Sequence, residues 1–250
     1  MIRRHLIWLW FAFWLLAAPM LAPYGPASSI SSPLSPPQVN LWLGTDILGR
    51  DTLSRLLIGG QRTLGLGLLS SFIALSLGIV TGLSTRIHSY LENALGILLD
   101  ALMAIPSLAL ALFLLALFSP SDGTLALAVG LAQAPSFARL VQGTLLTLSS
   151  AQYLEAARAI GAPPLAVAWR HLLPNVAPTL TAYAVAVFSY CLINNTTLSF
   201  LGFASPSQLD WGAMLAEARN GFTLSIWPAL WPAICFFITI QLLNQSIRHE

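Results

Sequence analysis

Glu155, Arg158, Arg170 and His171 fall within seventeen residues of a 250-residue chain that is 56% hydrophobic and only 8% charged. The stretch reads EAARAIGAPPLAVAWRHLLPNVAP, residues 155–178. A charge at the centre of a bilayer costs about 2.5–3.5 kcal/mol on insertion scales, so this segment must face water or another protein. Its residue types do not compose a reaction centre. H-E-x-x-H is absent, as is a G-x-S-x-G elbow, so metalloprotease and α/β-hydrolase chemistry have no foothold. All eleven basic residues are Arg. Without Lys there is no Walker A loop, so any ATP is handled by another chain. Cys191 and Cys235 lie in apolar runs without C-x-x-C spacing, which reads as small apolar packing and not as a zinc or disulfide site. The net charge of +2 carries no basic stripe for nucleic acid.

The elements that position the segment are membrane spans. Mean hydropathy is +0.76, and uncharged runs near the ~20 residues needed to cross ~30 Å of hydrocarbon recur along the chain. They place six spans at residues 6–21, 63–83, 93–118, 124–141, 176–203 and 222–247, an all-α polytopic bundle. The first follows Arg3, Arg4 and His5; Pro19 and Pro23 stand where a leader would be cleaved, which favours an uncleaved anchor. A Pro- and Ser-rich linker, residues 23–40, follows. Thr45 and Asp46 then serve as candidate caps of a short interfacial helix with Leu53, Leu56 and Leu57 set against Arg50 and Arg55. The fourth span is interrupted by Pro135 and is expected to end near Arg139. Two regions result: residues 1–62, with anchor, linker and interfacial helix, and residues 63–250, the transmembrane core with the charged loop at about 143–178.

With the N-terminus inside, seven Arg lie on the inner side against four outside, placing both termini and the charged segment in the cytoplasm. Within the segment, residues 153–160 favour helix, with Glu155 near the positive end of its dipole. Gly161 suits a helix end. Pro163 and Pro164 suit the first turn of a second helix, which Pro174 stops. Ala156 and Ala157 let another backbone approach closely, while Glu155 and Arg158 can fix register.

The order Glu155-Ala156-Ala157, Gly161, then His171-Leu172-Leu173-Pro174-Asn175 resembles the EAA signature of permease subunits of bacterial ABC importers. The blocks WLGTDILGRDTLSRLLIGG, LLDALMAIPSLALAL and SFLGFASPSQLDWGAML look like the second permease of dipeptide, oligopeptide and nickel importers. The resemblance implies a type I importer permease fold with a cytoplasmic coupling helix. Glu155, Ala156, Ala157, Arg158, Gly161, His171, Pro174 and Asn175 would then dock on an ATPase subunit. It also implies a second permease in heterodimer, two ATPase subunits that bind the ATP and Mg, an extracytoplasmic binding protein, and a place in the bacterial inner membrane. This chain would bind no cofactor of its own. Two departures weaken any transfer of substrate identity: Asn195 stands where related permeases are usually acidic, and the C-terminal block reads LLNQSIRHE.

Asp100 is the only acidic residue well inside a span. It either borders the translocation path or pairs with an Arg near the cytoplasmic end; the pair is favoured, because seven residues past Asn93 is only ~10 Å of helix. Asn194, Asn195 and Thr196 either hydrogen-bond a passing substrate or bridge helices. Pro106 and Pro135 are candidate hinges or static bends. A secondary transporter, the alternative class, calls for inverted repeats with matching broken helices, and no internal similarity between the halves supports one. Peptide and nickel or a nickel chelate both remain open as substrates.

Overall fold

The computed structural model describes residues 9–84, 89–149, 170, 173–203 and 208–247. These form α1 (Leu9–Leu21), α2 (Thr52–Ser84), α3 (Ser89–Met103), α4 (Ser107–Leu115), α5 (Asp122–Ser149), α6 (Leu173–Phe200), α7 (Trp211–Ala218) and α8 (Trp227–Ile247). Among the described residues four helices, α2, α5, α6 and α8, are long and apolar enough to cross a membrane, or five if the bent pair α3–α4 is one span.

Several expectations change. The interfacial helix is not separate: α2 runs unbroken for 33 residues, ~50 Å, so its first turns are the amphipathic stretch and stand beyond the hydrocarbon. Its cap is Asp51, whose Oδ2 accepts the Ser54 N–H at 2.8 Å and hydroxyl at 2.6 Å. Thr45 and Asp46 instead organise the loop before it. Asp46 Oδ1 accepts the Leu48 and Arg50 N–H groups, and Thr45 Oγ1 accepts from Ser35 N and donates to Ser32 O.

The third span is broken. α3 and α4 meet at 91°, because Pro106 takes an extended conformation before α4 and disfavours helix in the residue ahead of it. The fourth does not end at Arg139: α5 continues through Pro135 to Ser149, and the Arg139 charge is satisfied where it stands. In α1, residues Phe13–Ala17 form a π turn and Ala18–Leu21 a 3-10 turn containing Pro19. Its described 13 residues rise ~20 Å, short of a full crossing.

Two apolar clusters hold the bundle. One gathers Leu125, Val129, Phe137 and Val141 of α5 with Ala74 of α2 and Cys191 and Leu198 of α6. The other packs Trp14 of α1 and Trp211 of α7, ring centroids 4.9 Å apart and edge to face, among Leu56, Leu64, Phe188, Leu192 and Leu243. Cys191 is buried and Cys235 half-buried, both as free thiols.

α2 and α5 are brought close by small residues. A Cβ on Gly78 would stand 2.8 Å from Phe137 Cδ1 and 3.1 Å from the Ala138 nitrogen. One turn on, a Cβ on Gly82 would stand 2.7 Å from Val141 Cβ. This small-x-x-x-small stripe compensates for the missing hydrophobic drive between helices in lipid. Gly78→Leu should therefore lower the thermal midpoint of the detergent-solubilised protein by an amount equal to about 1–3 kcal/mol of overpacking. Gly65→Leu, whose position has no neighbour within 4 Å, should leave it near wild type. Equal effects in a thermal-shift measurement would refute the close-packing account.

Candidate functional site

Among the described residues, charges concentrate around the start of α2, the stretch expected to be a short interfacial helix. α2 carries Arg55 and Arg62, and Arg50 lies just ahead of it. Arg55 Nη2 donates to Glu217 Oε2 at 2.6 Å, and its Nε lies 3.2 Å from Asp46 Oδ2. Arg50 Nε donates to the same Asp46 oxygen at 2.6 Å while its Nη2 reaches Glu217. A third donor bond, from Arg55 Nη1 to the Pro26 carbonyl at 3.0 Å, ties in the linker. Two guanidinium groups and two carboxylates thus join the linker, the start of α2 and the last turn of α7.

A second cluster lies two turns along α2. Arg62 Nη1 donates to Asp210 Oδ2 at 3.1 Å and its Nε to Asp122 Oδ2 at 3.1 Å, with Nη2 also on Asp122. Asp210 caps α7, its Oδ1 accepting the Ala213 N–H at 2.9 Å, and its Oδ2 also accepts from Ser199 at 2.9 Å. Burial pushes the Asp210 carboxyl up from its ordinary value, opposed by the Ala213 N–H and Arg62, with Ser199 and the Gly212 N–H pulling the same way. Trp211 anchors the same corner: its N–H donates to Thr63 Oγ1 and its Nε1 to the Leu56 carbonyl, both at 3.0 Å.

The expected substrate residues divide. Asp100 accepts from Arg139 Nε at 3.0 Å, the ion pair favoured from the sequence. Arg139 also donates to Gln142 Oε1 and the Gly96 carbonyl. The Asp100 side chain is nevertheless 68% exposed. Asn195 Nδ2 donates to Ser70 Oγ of α2 at 2.8 Å, and Asn194 Nδ2 lies 3.4 Å from Ser107 Oγ of α4. Asn195 Oδ1 and the hydroxyl of buried Thr196 have no hydrogen-bond partner. The two asparagine Nδ2 groups join α6 to α2 and α4.

Glu155, Ala156, Ala157, Arg158, Gly161 and His171 lie outside the described residues. Pro174 and Asn175 belong to the first turn of α6. The last turn of α5 and the first of α6 therefore flank that segment, at the bundle end opposite the Arg62 cluster.

Comparison with solved structures defines the architecture. The chain superposes on an inward-facing structure of the MetNI methionine ABC transporter with TM-score 0.65, over 76% of this chain and 92% of that one at 18% identity. A crystal structure of an amino acid ABC transporter with histidines aligns with TM-score 0.63 at 16% identity, over 79% and 91%. The fold is that of ABC importer permeases and not of a secondary transporter.

Residues 74–249 match the family described as binding-protein-dependent transport system inner membrane component. The glutathione transport system permease protein GsiD of Pectobacterium atrosepticum is 33% identical over 205 residues, 81% of this chain and 68% of that protein. A putative peptide transport system permease protein of Brucella suis is 33% identical over 226 residues, 89% and 76%. The chain belongs to this family of inner membrane transport components: a multi-pass permease of an ABC importer.

The Arg62 cluster yields a direct test. Side-chain exposure is 13% for Arg62 and 3% for Asp210, and removing one partner of a buried pair costs about 3–5 kcal/mol. Arg62→Met should destabilise the purified protein by that order, and adding Asp210→Asn should recover part of the loss. A double variant no better than Arg62→Met, in denaturant titrations, would show that the pair is not the source.

Proposed function

We propose that this chain forms one half of an ATP-driven import path for peptides across the cytoplasmic membrane. The observation that carries the reading is its similarity, over 81–89% of its length, to permeases named for glutathione, itself a small peptide, and for peptides. The same names favour peptide over nickel or a nickel chelate. Residues 1–62 supply the anchor, the extracytoplasmic linker and the first turns of α2, and residues 63–250 the transmembrane core. A second permease completes the path, two separate ATPase subunits bind ATP and Mg, and a binding protein delivers the cargo; this chain holds no cofactor and does no covalent chemistry.

Both termini lie in the cytoplasm, as the Arg bias favours. The ATPase dimer grips Glu155, Ala156, Ala157, Arg158, Gly161, His171, Pro174 and Asn175, between α5 and α6. Its closure shifts the population between inward- and outward-facing states, and the loaded binding protein biases the same equilibrium from outside. Asp100 borders the path: a carboxylate this exposed in a span needs water or protein beside it. Asn194, Asn195 and Thr196 lie deeper and reach cargo only after α6 shifts.

The test is reconstitution of the four-subunit assembly in vesicles. Binding protein loaded with di- or tripeptide should raise ATP hydrolysis several-fold, whereas nickel-loaded protein should not; stimulation by nickel alone, or by neither, overturns the substrate assignment. Gly161→Pro should abolish uptake while leaving membrane insertion and partner-free stability intact. Cysteines at Ala156 or Ala157 should crosslink to an ATPase subunit, and failure of every such crosslink would remove the docking role.

A further inference from the structure

α7 is held at its two ends by unlike means. Its first residues are bolted: Trp211 is fully buried against Trp14 and hydrogen-bonds α2 twice, and Gly59 of α2 sits so close that a Cβ there would lie 3.4 Å from the Asp210 backbone. A Cβ on Gly212 would stand 2.8 Å from Ser199 Cβ, so α6 closes the socket from the other side. Apolar surfaces in such close contact separate only at the cost of their whole buried area.

The last turn, where Ala218 is also buried, carries an ionic fastening besides its packing. It is fastened by Glu217, whose side chain is 38% exposed, to Arg50 and Arg55. Beneath the fastening lies a void of about 10 Å³, room for one water, bordered by Asp46, Thr52, Arg55, Met214 and Glu217. Thr52 Oγ1 is buried there without a hydrogen-bond partner. Water can satisfy such a seam as it opens, so its charges are not stranded.

We propose that α7 is a cover over the linker end of the bundle, hinged at Asp210–Trp211 and latched by Glu217 on Arg50 and Arg55, and that the latch opens and recloses once per transport cycle. The inference rests on the importer reading above and adds a moving part to it. α7 lies across α2, α6 and α8, so lifting its last turn parts three helix ends at once while the socket keeps it attached.

A Cβ on Gly221, in the 3-10 turn directly after α7, stands 2.8 Å from Ile47 Cγ2. Cysteines at Ile47 and Gly221 therefore fall within disulfide reach. In the reconstituted assembly, oxidising this pair should cut peptide uptake at least tenfold, and reduction should restore it, with wild type unaffected by the oxidant. Full uptake with the disulfide formed overturns the proposal. Spin labels at exposed Leu48 and Leu224, flanking the latch, give a readout independent of uptake. Their separation should widen in the ATP- and vanadate-trapped assembly, and an unchanged distance overturns the latch. If wild type transports no peptide yet the labels still separate, the substrate reading fails and the latch stands.

Discussion

Arg62 lies between carboxylates 60 and 148 residues away in sequence, and the bundle depends on that arrangement. In a chain this poor in charge, a guanidinium near the membrane boundary needs partners with fixed positions. Asp122 is the first residue of α5 and Asp210 the cap of α7. One side chain of α2 thereby ties together the starts of two other helices: Asp210 also accepts the Ala213 N–H at the head of α7, and Asp122 stands in the first turn of α5, where the helix dipole favours a carboxylate. At Asp210 the ion pair and the helix cap share one carboxylate.

The linker end and its opposite are built on different terms. At the linker end Asp46, Arg50, Arg55, Arg62, Asp122, Asp210 and Glu217 satisfy one another within the chain. Buried ionic clusters of this kind are weak sources of net stability, because desolvation offsets most of the attraction. Their effect is register: a linker and two helices fit together in one way only. Toward the other end, Arg139 is held by Asp100, Gln142 and the Gly96 carbonyl, which lets α5 carry a charge through what the sequence presents as a break.

Much of this was legible in the sequence. Hydropathy alone located α2, α5, α6 and α8, because ~20 apolar residues have few other uses. Asp100 and its Arg partner followed from the cost of a lone charge. What failed was punctuation. Pro106 and Pro135 look alike as letters, yet one stands in a 91° break and the other sits inside a continuous helix. Thr45 and Asp46 have the right types for caps, but so does Asp51, and only the loop's hydrogen bonds choose between them. The charge pairs joining residues 46–62 to 210–217 were missed for want of long-range contacts. One signal was available: most of the chain's acidic residues and four of its arginines fell on the side assigned outside, which calls for pairing. The Gly78 and Gly82 spacing was another, marking the α2 face that meets α5.

The two ends communicate through continuous helices. α3 and α4 break at Pro106 and cannot carry an axial displacement across the bilayer, whereas α5 runs 28 residues, ~42 Å, from Asp122 to the edge of the charged segment. It packs closely on α2 along Gly78 and Gly82, so a push at its far end cannot be absorbed by loose packing. Such a push would arrive at Asp122, which shares Arg62 with Asp210. In the proposed cycle, a force applied between α5 and α6 would reach the hinge of α7 through Arg62, and the seam under Glu217 would part before the close-packed socket around Trp211.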